Sequence, residues 1–267
     1  QIQDAGTEKI RVSAAGVYVT GIVTSTSDGT FNGVTVGRGA GSVGSNTALG
    51  VNALDDSVTG GDNTAIGRNA LGNNTSGSQN TAVGQGTLSA NTTGADNIAI
   101  GDQALEANTT ADYNIAVGSQ ALEANTTGAN NVAIGHQSLH LNTTAANNTA
   151  IGFNALLSNT TGNQCVAIGS YALAANTTST HNTGVGYIAM QSNTTGYNNT
   201  GIGKGSLNSN TTGSTNTAVG VDALNQNTTS SHNTAVGESA LQLNTAANNT
   251  AVGSGAMDAN TTGTLNV

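Results

Sequence analysis

Asn80-Thr81-Ala82-Val83-Gly84, Asn114-Ile115-Ala116-Val117-Gly118 and Asn216-Thr217-Ala218-Val219-Gly220 are versions of one phrase. The phrase opens at residues 46, 63, 80, 97, 114, 131, 148, 165, 182, 199, 216 and 233, a fixed step of 17. The step shortens once to 16, giving Asn249, and a last repeat opens at Asn266. Thirteen complete repeats therefore fill residues 46–265. A repeat this short and strict predicts a solenoid, in which each coil is stabilised by its neighbours.

Each repeat is numbered here from its opening Asn. Position 3 is Ala in eleven coils and Gly in two, Gly184 and Gly201. Position 4 is always Val, Ile or Leu, and position 5 is Gly from Gly50 to Gly253. Position 8 is Ala, Ser or Thr, and position 9 is Leu apart from Met190 and Met257. Asn-Thr-Thr-Gly typically follows at positions 12–15, with Ser57 and Val58 as departures. Gly, Asn and Thr are unfavourable inside helices, so the pattern predicts an all-β chain. Positions 2–4 read as a short strand, Gly at 5 as a turn, 8–10 as a second short segment and 12–17 as a long turn. At about 4.8 Å per coil, thirteen coils extend about 60 Å. The 16-residue coil 233–248 loses its residue from the long turn, at Asn244-Thr245-Ala246-Ala247, which keeps the strands in register.

The Asn at positions 1 and 12 predict ladders of side-chain amides running along the stack. The alternative is glycosylation, since Asn-Thr-Thr satisfies the acceptor pattern. Positions 3 and 4 are both apolar, yet adjacent strand residues point to opposite faces. One face lines the coil and the other must be covered from outside. Three chains around one axis is the arrangement expected, with a lone chain unstable.

Residues 1–45 differ. Glu8–Ser13 and Val17–Thr20 alternate like strands, with turns at Ala15-Gly16 and Asp28-Gly29. Asn32–Gly37 resembles an incomplete coil. The expected organisation is a β-rich adaptor or shaft segment over 1–45 and a parallel β-solenoid over 46–267.

The net charge is −9, and residues 1–45 sum to zero, so all the excess acid lies in the repeats. A nucleic-acid shaft needs basic stripes, so that partner is set aside. No run approaches the ~20 apolar residues of a membrane-spanning helix, and membrane insertion is not expected. Both ends read as edges of a fragment or of an ordered region, with no signal peptide visible. Cys165 is the only cysteine and takes an opening-Asn slot, where it reads as a buried small substitute.

The repeats offer no convergent catalytic set. His181 and His232 share position 17 but lie three coils apart, roughly 14 Å. His136 and His140 share a coil without a third ligand. Asp55, Asp56 and Asp62 are the densest acidic group, read as surface charge, with a weak cation site as the alternative. No cofactor or catalytic residue is assigned, and the chain is not expected to be an enzyme. Phe153, Tyr171 and Tyr187, at positions 6 or 7 of consecutive coils, form the one local candidate: edge-covering turn residues, or a contact for a glycan.

The phrase Asn-Thr-Ala-Val/Ile-Gly-x-x-Ala-Leu resembles two kinds of protein. One is the head of YadA-type trimeric autotransporter adhesins, left-handed parallel β-rolls with three chains to a trimer. The other is a class of tailed-bacteriophage fibre and appendage proteins with Asn-Thr-Thr-Gly arrays. Residues 46–265 carry the likeness, and the 17-residue step with Asn-Thr-Thr-Gly is closer to the phage class. The leader Val12–Gly21 is also similar to phage-fibre shaft sequence. What the resemblance implies is a homotrimeric virion fibre, extracellular, contacting other virion proteins and a host surface glycan or protein. The alternative is a bacterial surface adhesin head. A remoter reading is an ice-binding solenoid, from the Thr at positions 13 and 14, though adjacent residues tend to face opposite sides.

Overall fold

The structure is a computed structural model that describes residues 2–4, 7–13, 16–19, 29–31, 34–41, 43–56 and 59–267. Ala15 and Asp28 of the expected turns, Asn32 and Gly33 of the incomplete coil, and Ser57 and Val58 lie outside the described residues. Near the start, β1 (Ile2–Asp4), β2 (Thr7–Ser13) and β3 (Gly16–Val19) form an antiparallel three-stranded sheet. A hairpin of β4 (Gly29–Phe31) and β5 (Val34–Gly37) pairs antiparallel with β6 (Thr47–Gly50). From β6 the chain is a parallel β-solenoid, through β7 (Thr64–Ile66), β8 (Thr81–Val83) and onward to β17 (Thr234–Val236) and β18 (Thr250–Val252). The hairpin covers the first strand's open edge, a common protection for a sheet that would otherwise offer unpaired groups.

Register is exact from coil to coil: Ala116 pairs with Ala133, and Val117 with Ile134. Backbone bonds stitch the rest of each coil to its neighbours. Position 2 donates to the next coil's position 1 (Thr64 to Asn80, 2.8 Å) and position 9 to the next position 8 (Leu71 to Thr87, 3.0 Å). The short coil holds phase, since Ala235 pairs with Ala251 and Val236 with Val252.

The strand's inner residue is position 3. Its Ala side chains, with the small residue at 8 and the Leu at 9, make one continuous thin core, and the Leu are fully buried from Leu54 to Leu241. The larger position-4 side chains point outward. Where position 3 is Gly, larger neighbours fill the space: a Cβ on Gly201 would come within 2.9 Å of Met190 Cγ.

The short segment at positions 8–10 is a turn, with left-handed backbone at position 7 (Asn69, φ 59) and again at Leu71 (φ 50). The position-9 Leu is left-handed in coil after coil. Such a backbone costs a non-glycine residue roughly 1–2 kcal/mol, which burial of a whole Leu side chain, worth about 1.5–3 kcal/mol, offsets. Position 5 has a stricter requirement. Gly118 has φ 137, and a Cβ there would lie 2.6 Å from the backbone of Gly135 in the next coil. Only glycine lets successive turns approach so closely.

The Asn ladders are both present. In the position-12 ladder the Asn91 amide donates to Asn74 Oδ1 (2.8 Å) and to the Gly94 carbonyl (2.9 Å), and Asn108 repeats the pattern onto Asn91. In the position-1 ladder Asn80 Oδ1 accepts from the Asn97 backbone (3.1 Å), while the Asn80 amide donates to Gly94. The two ladders converge on the position-15 carbonyl. These Asn are fully buried, so burial and double hydrogen bonding, rather than modification, account for their recurrence.

Candidate functional site: an outer face and an aromatic edge

Two surfaces stand out from the polar coat. The first is the outer face of the parallel sheet. Position 4 contributes Leu49, Ile66, Ile100, Ile134, Ile168 and Ile202, each between 36% and 44% exposed. Position 2 flanks it with Thr in most coils and Ile or Val in the rest, Ile98 being 39% exposed. From Thr47 to Val252 these two ranks contain no charged residue. The strand period places them on one side, two residues apart along each coil and about 4.8 Å apart between coils. The result is a long, charge-free stripe, the kind of surface that marks association.

The second surface is the edge made by positions 6 and 7. Across most of the solenoid it carries residues such as Arg68, Asn69, Gln85, Asp102 and Gln103. Over coils 131–198 it becomes aromatic. His136 and Phe153 stack, with centroids 5.5 Å apart and planes 14° apart. Phe153 then meets Tyr171 edge-on at 5.3 Å and 73°. Tyr187, half exposed, stands one coil further with no ring packed against it. Of the three aromatic residues expected at this edge, Phe153 and Tyr171 are in contact and Tyr187 extends the line. His136, singled out in the sequence only for sharing a coil with His140, belongs to the same stack; its shared position 6 with Phe153 was the signal.

The remaining polar candidates do not converge. Among the described residues no three His, Cys, Asp or Glu side chains come together as a metal site. Asp55 and Asp56 line a shallow polar cavity of about 310 Å³ with Asn52, Asn69, Gly72, Asn73 and Ser89, and Asp62 is not part of it. His140 instead pairs with Glu123 on the preceding coil, Nδ1 to Oε2, at 3.2 Å. Among the described residues no helix is long and apolar enough to cross a membrane.

Cys165 fills its Asn slot as expected. Its thiol donates to the Ser179 carbonyl (3.4 Å), and burial pushes the thiol pKa up against hydrogen bonds from the backbones of Asn182 and His181. Cys165 lacks the amide with which Asn continues the ladder. The Ser179 hydroxyl, at a position usually Gly, compensates by accepting from the Asn182 amide (2.7 Å) and donating to the Gly196 carbonyl.

At position 13 the Thr hydroxyls are committed to the next coil, as Thr92 Oγ1 is to the Thr109 carbonyl (3.0 Å), while the position-14 Thr stand in solvent.

No protein-family model matches this chain, and neither a curated protein nor a solved structure matches it at a significant level. What the fold defines is a class: an all-β, parallel β-solenoid with coils about 17 residues apart.

Proposed function

We propose that this chain is the shaft or head of a homotrimeric fibre, an appendage of a tailed-phage virion that contributes to host-cell attachment. The observation that carries the reading is the charge-free aliphatic stripe on the outside of a thin rod. An isolated rod would hold this stripe against water along its whole length. Three copies facing a common axis would bury it, and because every copy repeats at the same spacing, the ranks of one interleave with those of the next. The mild acidity of the repeats suits a soluble exterior. The phrase and step shared with phage fibres favour the virion over an adhesin head.

The test is the mass of the purified chain by light scattering. Three times 26.1 kDa, about 78 kDa, is expected, and a folded species at 26.1 kDa at micromolar concentration refutes the assembly. Flanking sequence from the natural gene separates the two biological settings. A C-terminal self-cleaving chaperone domain belongs to phage, a coiled coil with a membrane barrel to an adhesin.

A further inference from the structure

We infer that Ile98, Ile115, Val132 and Val166 form a register key: a patch on the outer face that fits a second, parallel copy of this chain at zero axial offset. This rests on the fibre reading and assigns the contact that aligns its chains.

The patch is a departure from the repeat. Position 2 is Thr in nine of the thirteen coils, and the four exceptions are Ile98, Ile115, Val132 and Val166. Ile98, Ile115 and Val132 are partners on neighbouring strands, and Thr149 separates them from Val166. Strand preference does not explain the exchange, because Thr, Val and Ile are all β-branched and all suit a strand. Core packing does not explain it either, because position 2 shares the outer face with position 4, and Ile98 is 39% exposed. What the exchange adds is apolar surface toward the outside. At these coils the stripe is two aliphatic ranks wide, as in Ile98 with Ile100 and Val132 with Ile134.

A periodic stripe aligns poorly. Every coil presents a similar side chain at position 4, so two copies can slide by one coil, about 4.8 Å, and lose only the contact at one end. The key removes this degeneracy. In register, all four aliphatic sites meet their own counterparts. A slip of one coil keeps two matches, Ile98 on Ile115 and Ile115 on Val132. A slip of two keeps Ile98 on Val132 and Val132 on Val166, and longer slips keep at most one. The displaced aliphatics then face Thr, whose hydroxyl is shut away from water without a partner. Thr facing Thr can instead hydrogen-bond across the contact. A copy running the opposite way matches three sites at best, and it cannot share a three-fold axis.

The occupant follows from the same features. The band is about 60 Å long and about 10 Å wide, roughly 600 Å² per chain, near the ~800 Å² per partner of a standard interface. Its two ranks carry no charge for a partner of opposite sign to meet. A second copy matches its length, its step and its break in the repeat together.

The experiment is methyl NMR of the full chain with labelled Ile, read beside light scattering. Ile66 and Ile202 lie at position 4 outside the key, and around a shared axis they face their own counterparts only in register. The parent should be a trimer with one resonance for each, because one hydroxyl left unmet lowers a slipped register about tenfold or more. Two variants separate alignment from adhesion. In the erased variant, Ile98→Thr, Ile115→Thr, Val132→Thr and Val166→Thr make the column uniformly polar. In the filled variant, Val replaces the nine position-2 Thr and makes the column uniformly apolar. Both use residues this column already holds, so the coils should fold, with circular dichroism as the check. Both should keep the trimer mass and split Ile66 and Ile202 into several resonances. A single resonance for each in either trimeric variant, or several in the parent trimer, overturns the inference and leaves the fibre reading standing. An erased variant that falls to a folded monomer also overturns it, since the patch then supplies strength and not alignment. A monomeric parent sinks the fibre reading and this inference with it.

Discussion

Replacing Val117 and Ile134 by Asp tests the outer stripe directly, because their strands pair and the two residues are partners across the ladder. Ile134 is 38% exposed in the single chain. Full burial of such a side chain is worth about 1.5–3 kcal/mol, so covering the remaining fraction contributes roughly 0.6–1.1 kcal/mol. Repeated over thirteen coils this is on the order of 8–15 kcal/mol per chain, comparable to the ordering cost of association and to a whole domain's stability. Assembly and folding should therefore be coupled. In a lone chain the two Asp face water and cost little. Around a three-fold axis they place three carboxylates at each of two adjacent levels, each carrying a desolvation penalty of several kcal/mol.

Light scattering should show the double variant losing the parent's mass, with circular dichroism reporting whether the released chain keeps its sheet. Two controls fix the interpretation. Thr127→Asp with Thr144→Asp, on the exposed long turn, should leave mass and melting unchanged. Ala133→Asp, which points into the core, should unfold the coil whatever the assembly state. If the Val117 and Ile134 double variant keeps the parent's mass and melting temperature, the stripe is not the interface.

Further outcomes follow from the coil geometry. Gly118→Ala should cost about 2–6 kcal/mol from forbidden backbone and overlap with Gly135, read as a lower denaturation midpoint; an unchanged midpoint would show that the coils separate easily. Inserting one Gly between Thr245 and Ala246 should restore a full coil where Asn227 Oδ1 and Asn233 Nδ2 now lack partners. Each satisfied group is worth about 1–3 kcal/mol, so amide exchange in coils 233–265 should slow, and faster exchange would refute the account. Cys165 should resist alkylation at neutral pH in the folded chain. Its folded pKa is raised, so its contribution is fully present below the ordinary thiol value of 9.0 and is lost as pH rises from there toward the folded value. A Cys165→Ser variant with the same alkaline stability slope as the parent would contradict this.

Much of the fold is legible because one constraint recurs in every coil. Gly at position 5 and Asn at positions 1 and 12 leave no other economical explanation than close turns and stacked amides. The left-handed Leu at position 9 is not legible, since nothing in a Leu residue announces positive φ. Its burial outweighs a local preference, and only the assembled cross-section shows that trade. The aromatic edge was visible as Phe153, Tyr171 and Tyr187, because they break a polar column. His136 was noted only beside His140, because its contact with Phe153 lies between successive coils and shows once they are stacked. The pairing of Cys165 with Ser179 needed the same knowledge, as the two lie fourteen residues apart, one opening the coil and the other in its long turn.

The alternation of a strand says that positions 3 and 4 face opposite ways, but size decides which goes in. A coil of this length closes around a narrow interior. The Leu at position 9 already occupies that interior, so the strand can offer it only Ala or Gly, as Gly201 against Met190 shows most tightly. The Val, Ile and Leu at position 4 are thereby excluded from the core that their hydrophobicity would otherwise select. Their persistence on the outside, in every coil and without one charged substitution, is costly for a free rod and useful for a bundled one. The thin core and the greasy exterior are consequences of the same cross-section, which is why the proposed partner is another copy of the chain: no other surface is certain to repeat at the same step.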